Sequence, residues 1–309
     1  MKKVLLLMLI ALSACSGNSN RAFARSFQDS MQETVDNNSI VETLPIPEVP
    51  ANITAKEDKL AYVIAHFWDS LDFNDTVRTY NQAFIEQNFA NFAYILQNVG
   101  DYDKKKAAVE NLLNRAAINP HSFKIIREVA DDYLYDPNSP MLNEESYIPF
   151  LEILSQSSLV DEAQKSRYSY LLECAQKNRP GMVAADFSFI DRKGNKSSLH
   201  SFNSQGDILL IFYDPDCESC KTIIKELSDN QRIKEEIRAK RLSVLAIYSG
   251  EDKSLWQSTA DKLPQEWAVG YEPGQIDEKE LYDFRAFPTL YILDKNKRVV
   301  KKDIPASQL

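Results

Sequence analysis

Two cysteines separated by two residues, Cys217 and Cys220, are the side chains of this sequence best suited to chemistry. They follow an apolar run, Ile208 to Tyr213, that predicts a strand, and they open a stretch with helical periodicity. Free N–H groups and the helix dipole stabilise a thiolate at the first turn of a helix. One turn of helix also brings the two sulfurs close together. The spacing therefore indicates thiol–disulfide exchange, in which one thiol attacks and the other resolves the mixed disulfide.

A zinc site is the alternative chemistry for such a pair, because structural zinc takes four ligands from cysteine and histidine. The sequence has no second C-x-x-C pair, and its three histidines, His66, His121 and His200, are scattered. Redox chemistry is therefore favoured, and neither a metal nor another cofactor is predicted. Cys174 lies in an amphipathic helical pattern and is predicted to be a buried structural thiol.

The composition is typical of a soluble globular protein with more than one domain. The chain has 309 residues, of which 44% are hydrophobic and 26% charged, so it can bury a sizeable core. Its net charge of −9 disfavours nucleic acid and anionic membrane surfaces as partners. These properties leave enzymes and protein-binding proteins as the classes to consider.

The N-terminus has the features of an export signal. Lys2 and Lys3 precede a short apolar run, Val4 to Leu12, that is too short to span a bilayer as a helix. Cys15 follows a serine and an alanine, as in the lipobox of bacterial lipoproteins, which this segment resembles. The resemblance implies acylation of Cys15, and Ser16 after it favours the outer membrane. An ordinary cleaved signal with an incidental cysteine is the alternative.

Helical patterns fill the first half of the chain after a polar, proline-containing stretch. Thr54 and Glu57 fit a capping box, and apolar residues from Leu60 to Leu71 then follow at the spacing of one helical face. Asn119 before Pro120 is typical of a helix start. The further predicted helices are Phe84–Leu96, Lys104–Ala116, Pro120–Leu134, Glu144–Leu154 and Val160–Gln176. The pattern predicts an all-α bundle of about six helices.

Short apolar runs alternate with helical stretches in the second half, which indicates an α/β sheet. The predicted strands are Ile208–Tyr213, Leu242–Tyr248, Trp267–Val269, Leu290–Leu293 and, across a hairpin, Val299–Val300. The predicted helices are Ser219–Arg238 and Asp252–Leu263. The sequence thus divides into a signal peptide with its lipobox cysteine (1–15), a polar linker (16–54), a helical domain (55–178) and an α/β domain (181–309).

Three motifs of the α/β domain occur in an order that resembles a known family. They are Pro-Gly-Met-Val-Ala-Ala-Asp-Phe-Ser-Phe from Pro180, the C-x-x-C pair after a strand, and Phe287-Pro288-Thr289 before a hairpin. Together they resemble thioredoxin-like thiol–disulfide oxidoreductases of the TlpA type over residues 181–309. The fold class that this implies is α+β multidomain, with an all-α helical bundle followed by a thioredoxin-like α/β domain.

The resemblance also implies roles for the site residues. Cys217 would be the exposed nucleophile and Cys220 the buried resolving thiol, with Pro288 a cis-proline facing them. The residues that would touch the substrate are Phe287, Thr289, Glu218 and Ser219. Expected partners are protein thiols or disulfides.

The sequence departs from this family at the resolving thiol. Ile211 stands six residues before the first cysteine, where thioredoxins carry a buried aspartate, and Ile223 stands six after it, where TlpA-type proteins often carry a glutamate. The usual proton acceptor for Cys220 is therefore absent from both places. Three carboxylates surround the nucleophile instead: Asp214, Asp216 and Glu218. Like charge raises a thiol pKa, whereas the helix end lowers it. The hypothesis is a less acidic Cys217 than in strong oxidants, and a reductase-leaning pair. The alternative is that these carboxylates point into solvent and have little effect.

The helical domain resembles an uncharacterised domain that precedes TlpA-like modules in lipoproteins of gut-type Gram-negative bacteria. The resemblance rests on Asp136-Pro137-Asn138-Ser139-Pro140 and on Tyr147 to Glu152, and it implies an architecture without an activity.

Two functions of different class follow. The first is a membrane-tethered periplasmic thiol–disulfide oxidoreductase, anchored through Cys15 to the outer membrane of a Gram-negative bacterium and supplied by a membrane or periplasmic electron donor. The second is a partner-binding lipoprotein whose C-x-x-C pair is a structural or vestigial disulfide. A peroxidase is disfavoured, since Asp214 stands where those enzymes place a threonine.

Overall fold

A computed structural model describes residues 41–306 and residue 309 of the chain. The chain divides into two compact units, with the boundary between Leu172 and Glu173. The first unit is helical and the second contains a seven-stranded sheet with helices, which confirms the predicted fold class. The predicted signal peptide, its lipobox cysteine Cys15 and most of the predicted linker lie outside the described residues. Within the described residues, no helix has the length and hydropathy needed to cross a membrane.

Seven helices form the described N-terminal half. They are α1 Lys56–His66, α2 Thr76–Thr79, α3 Gln82–Asn98, α4 Tyr102–Ala116, α5 Pro120–Leu134, α6 Glu144–Leu154 and α7 Glu162–Gln176. The side chains that cap α2 to α6 are all aspartate or asparagine: Asp75, Asn81, Asp101, Asn119 and Asn143. Each accepts a hydrogen bond from a backbone N–H that the first turn leaves unpaired. The helices α5 and α6 have the bounds that the sequence predicts.

The start and end of α1 differ from the prediction. The capping box is wrong, because the residue at the N-cap is Ala55 and no side chain caps this helix. The helix also ends at His66, before the end of the apolar pattern. The chain continues in tight turns, in which Asp69 N donates to His66 O and Leu71 N to Trp68 O. Burial of Trp68 and Leu71 in the core, rather than helix continuation, explains the apolar pattern there.

Part of the predicted polar linker packs against the helical unit. Of residues 41–54, Leu44 and Val49 are buried. The fully buried amide of Asn88 on α3 accepts from Leu44 N at 2.7 Å and donates to Glu42 O at 3.3 Å. An amide buried at this depth needs such partners. These contacts hold the extended segment before α1 in place.

The C-terminal unit is built on a mixed sheet of seven strands. They are β1 Ser188–Asp191, β2 Lys196–Ser198, β3 Asp207–Tyr213, β4 Leu242–Ser249, β5 Ala268–Glu272, β6 Thr289–Leu293 and β7 Val299–Lys301. Their order is β2-β1-β5-β4-β3-β6-β7. The strand β3 is parallel to β4 and antiparallel to β6, with Ile211 opposite both Ala246 and Leu290. The five predicted strands are confirmed, whereas the short and polar β1–β2 hairpin was not predicted.

Helices cover both faces of the sheet. They are α8 Glu218–Asp229, α9 Gln231–Arg238, α10 Lys253–Thr259, a 3₁₀ turn Ala260–Lys262, and α11 Gln275–Glu278. The sequence predicts one helix over Ser219–Arg238, but the structure has two. Asn230 breaks it, because its backbone is extended (φ −64°, ψ 115°) and its side chain accepts from the first N–H groups of α9.

The alternation of side chains along β3 separates two cores. Leu209, Ile211 and Tyr213 face the core that contains Cys220 and Leu227 of α8. Ile208, Leu210 and Phe212 face the opposite core, with Phe187 and Tyr282. The strand is therefore buried on both faces. The helix α8 begins shortly after its carboxyl end.

Candidate active site

Cys217 occupies the N-cap of α8, directly after the carboxyl end of β3. Its backbone is extended (φ −76°, ψ 119°), and its Sγ accepts a hydrogen bond from Cys220 N at 3.3 Å. The sulfur therefore takes the place that a serine or aspartate oxygen commonly takes at a helix start. It faces the positive end of the helix dipole, which favours the thiolate. Cys217 is partly exposed, whereas Cys220 is fully buried. The two thiols thus have the exposures expected of a nucleophile and a resolving group.

The loop before β6 reaches the same sulfur. Ser219 Oγ lies 2.9 Å from Cys217 Sγ and donates to Phe287 O at 3.0 Å. The Cys217 thiol donates to the same carbonyl at 3.6 Å. When the thiol loses its proton, the Ser219 hydroxyl can turn its own proton towards the sulfur. The geometry therefore contains a neutral donor for the thiolate.

The Phe287–Pro288 peptide bond is cis, as the family resemblance implies. It precedes Thr289, the first residue of β6, which is buried and donates through Oγ1 to Ala286 O at 2.6 Å. The side chain of Thr289 is thus engaged within the protein. What this loop presents to the thiol is the Phe287 carbonyl.

Glu218 points away from this cluster. Its side chain is 86% exposed and pairs with Lys221 at 2.7 Å. The structure therefore brings Cys217, Ser219, Cys220 and Phe287 together by hydrogen bonds and leaves the Glu218 carboxylate to one side. A substrate contact from Glu218 stays a prediction.

The two thiols have opposite pKa shifts. Burial raises the pKa of Cys217, but hydrogen bonds from Ser219 and Cys220 outweigh burial, and the net pKa is lowered. Burial raises the pKa of Cys220 to about 12. The leading causes at Cys217 are therefore burial and hydrogen bonding rather than the neighbouring carboxylates that the sequence suggests. Of the two thiols, Cys217 therefore ionises at the lower pH.

Alkylation should distinguish these two thiols. In the reduced protein, we expect iodoacetamide to modify Cys217 with a midpoint below that of an ordinary exposed thiol and to leave Cys220 unmodified at neutral pH. The rate is followed against pH by peptide mass spectrometry. Ser219→Ala removes a donor to the thiolate, so the Cys217 midpoint should move upward in this variant. An unchanged midpoint in Ser219→Ala would contradict the role of the hydroxyl.

Isoleucines occupy the two positions where thioredoxins and TlpA-type proteins carry an acid. Ile211 is fully buried in β3 and Ile223 is partly buried on α8. Both pack in the core that contains Cys220. The two substitutions therefore leave Cys220 in an apolar environment. Such an environment disfavours the thiolate, which explains the raised pKa of the resolving thiol. In the part of the chain that the structure describes, no cluster of His, Cys, Asp and Glu could hold a metal ion.

A cavity of about 560 Å³ opens beside the resolving thiol. Cys220, Tyr213 and Asp214 line it on one side, and Leu263 and Pro264 line it on the other. The second wall belongs to the segment that follows α10, about forty residues further along the chain. Periodicity within one element cannot predict such a pairing, so the cavity has no counterpart among the predictions from the sequence.

Arg192, in the turn between β1 and β2, holds that second wall. Its guanidinium donates to the carbonyls of Ala260, Leu263, Pro264 and Trp267, at 2.9 to 3.2 Å. A single cation thereby satisfies several backbone acceptors of the 3₁₀ turn and of the loop that follows it. No signal in the sequence marks Arg192, because its partners lie about seventy residues away.

Both parts of the chain match known families. Residues 19–178 match the family described as Domain of unknown function (DUF5106), and residues 201–305 match the family described as Thioredoxin-like domain. No curated protein matches the chain.

Solved structures from Bacteroides are similar to different lengths of the chain. A thioredoxin-like protein from Bacteroides caccae has 35% identity and a TM-score of 0.75, covering 87% of this chain and 97% of that one. A conserved protein of unknown function from Bacteroides fragilis has 39% identity and a TM-score of 0.40, covering 42% of this chain and 95% of that one.

The thioredoxin domain of a thiol-disulfide oxidoreductase from Bacteroides vulgatus has 20% identity and a TM-score of 0.36, covering 41% of this chain and 89% of that one. The first of these similarities extends over both units, and the DUF5106 match covers more than half of the chain. The chain therefore belongs to the DUF5106 family, in an architecture that places a thioredoxin-like domain behind the helical one.

Proposed function

We propose that this protein is a thiol–disulfide oxidoreductase that exchanges disulfides with other proteins through Cys217 and Cys220. The observation that carries the proposal is the position of Cys217 Sγ at the N-cap of α8. There it accepts from Cys220 N at 3.3 Å and lies 3.6 Å from Phe287 O, within a thioredoxin-like domain. A partly exposed thiol with a lowered pKa is paired with a buried thiol of raised pKa. This arrangement separates an attacking group from a resolving group.

The exchange proceeds in two steps. The Cys217 thiolate attacks one sulfur of a substrate disulfide, a mixed disulfide forms, and the other substrate sulfur leaves as a thiolate that takes up a proton. Cys220 then loses its proton and attacks Cys217 Sγ. The bond between Cys217 and the substrate breaks, and its electron pair leaves on the substrate sulfur. The substrate is reduced by two electrons and the protein pair is oxidised by two, so a membrane or periplasmic electron donor has to regenerate it.

The groups around the nucleophile favour substrate reduction. A strong oxidant is one whose reduced form is stabilised. The groups that hydrogen-bond Cys217 Sγ are neutral. They include the hydroxyl and backbone N–H of Ser219, the N–H and thiol of Cys220, and the Phe287 carbonyl. The nearby cation Lys221 is paired with Glu218. We therefore place the couple near thioredoxin rather than near DsbA, as a reductase.

The equilibrium reduction potential of the purified soluble protein tests this proposal. A reversible two-electron couple near the thioredoxin value of about −270 mV is expected. The Cys217→Ser variant should show no couple. A potential close to the DsbA value of about −120 mV would contradict the reductase direction. A pair that glutathione buffers cannot reduce would mean a structural disulfide, and a partner-binding role would then replace the enzyme.

We further propose that the chain is exported and anchored by a lipid on Cys15, facing the periplasm from the outer membrane. Two lysines, a short apolar run and the small residues before Cys15 support this proposal. Cells that express the full chain and are fed an alkyne fatty acid should label the wild type and not Cys15→Ser. Equal labelling of both proteins would contradict the anchor.

A further inference from the structure

The cavity beside α8 is lined by the residue that carries the buried resolving thiol. Cys220 has no exposed surface, yet it lines this cavity of about 560 Å³. Burial keeps its thiol protonated near neutral pH, since its pKa is raised to about 12. Resolution of a mixed disulfide requires the thiolate. The proton of Cys220 therefore needs an acceptor, and Ile211 and Ile223 cannot supply one.

Five titratable groups besides Cys220 line the cavity, and four of them cannot accept its proton as they stand. Three are lysines, namely Lys221 and Lys225 of α8 and Lys262 of the 3₁₀ turn. The fourth is Tyr213 of β3, whose buried hydroxyl has no hydrogen-bond partner among the described residues. Burial raises the pKa of Tyr213, so its hydroxyl keeps its proton. The fifth group, Asp214, supplies the carboxylate of the lining.

Hydrogen bonds to its side chain and to its backbone fix the position of Asp214. Its Oδ1 accepts from Asp216 N at 2.7 Å, and its carbonyl accepts from Cys217 N at 3.2 Å. Its own backbone N–H hydrogen-bonds the Cys220 sulfur, and its carboxylate acts on Cys220 electrostatically, raising the pKa of that thiol. A negative charge placed in this way disfavours a second one on Cys220, and transfer of the proton between the two groups removes that conflict.

We propose that Asp214 accepts the proton of Cys220, through water admitted by the cavity, when Cys220 resolves the mixed disulfide. This inference rests on the proposed function and names the acid that replaces the two absent ones. The proton passes from Cys220 Sγ to the Asp214 carboxylate, and the thiolate forms a bond with Cys217 Sγ. The bond from Cys217 to the substrate breaks, its electron pair leaves on the substrate sulfur, and that sulfur takes a proton from solvent.

The variant Asp214→Asn isolates this role, because an asparagine Oδ1 still accepts from Asp216 N while the amide cannot take up the proton. Asp216→Asn is the matched control, since Asp216 is exposed and absent from the cavity lining. Reduced full-length protein is mixed with oxidised glutathione and quenched in acid. Mass spectrometry then follows two species, the glutathione adduct on Cys217 and the Cys217–Cys220 disulfide.

Resolution of the adduct is expected to slow about 100-fold or more in Asp214→Asn near neutral pH, within the range typical of general base catalysis. The difference should shrink as pH rises, because solvent can then deprotonate Cys220 directly. Asp216→Asn should resolve at the wild-type rate, and Asp214→Glu should retain most of it. The unfolding midpoints of all variants are also compared. A slowing that does not depend on pH and that accompanies a lower midpoint reflects lost stability rather than a lost proton acceptor.

Three results would overturn this inference, in two different ways. Wild-type resolution in Asp214→Asn at every pH, or equal slowing in Asp216→Asn, would overturn the role of Asp214 alone. Wild-type protein that never forms the Cys217–Cys220 disulfide from the adduct would overturn the proposed function and this inference with it.

Discussion

Replacement of Cys220 by serine is expected to trap substrate on the protein. Cys217 keeps its place at the N-cap of α8 and its contacts with Ser219 and Phe287, so attack on a disulfide continues. Release should slow by about 1,000-fold or more, because a second molecule must replace a thiol held next to the mixed disulfide. Non-reducing mass spectrometry after a single turnover with oxidised glutathione measures the trapped adduct.

Two further variants make this result specific to the pair. Cys217→Ser should form no adduct at all, because Cys220 has no exposed surface and its thiol stays protonated. Cys174→Ser, on α7, should react like the wild type. If Cys220→Ser released its adduct as fast as the wild type, another group would be resolving the mixed disulfide. An adduct of equal yield on Cys217→Ser would move the nucleophile elsewhere.

Replacement of Arg192 by methionine should lower the free energy of unfolding of the C-terminal unit by about 3 kcal/mol, because buried carbonyls lose a charged donor. The carbonyls of Ala260 and Leu263 accept from this guanidinium at 2.9 and 3.0 Å, and both residues are buried. Methionine keeps most of the side-chain volume and removes the hydrogen bonds. Hydrogen exchange in denaturant, read by mass spectrometry on β4 and β5, reports this unit separately from the helical one.

The loss should also affect the wall of the cavity beside Cys220. Amides of residues 260–267 are expected to exchange faster in Arg192→Met even without denaturant. Arg192→Lys keeps the charge but not the planar fork, so it should recover only part of the stability. Arg241→Met is the matched control, because Arg241 pairs with Glu236 at an exposed site, where solvent screens the pair and its loss should have little effect on stability. Equal effects of the two methionine variants would show that the contacts of Arg192 add little.

Local signals in the sequence are sufficient for most of the elements. Asn119 before Pro120 marks the start of α5, because capping and a preset φ act within one turn. The apolar run that becomes β3 and the two cysteines that open α8 likewise lie within about fifteen residues of each other. The nature of the chemistry follows from that short segment. The break at Asn230 and the β1–β2 hairpin were missed, because a single capping residue and two short polar strands leave little periodicity to detect.

The surroundings of the thiols were decided by tertiary structure. The Phe287 carbonyl that lies beside Cys217 is 70 positions away along the chain, and the acceptors of Arg192 are 68 or more away. The sequence shows Asp214 only as one of three acidic neighbours of the nucleophile. It becomes distinct from Asp216 when the segment after α10 closes a cavity over Cys220. Caps and periodicity act through neighbours in the chain and can be predicted from it, whereas pKa values, buried carbonyls and cavity walls depend on which distant segments pack together.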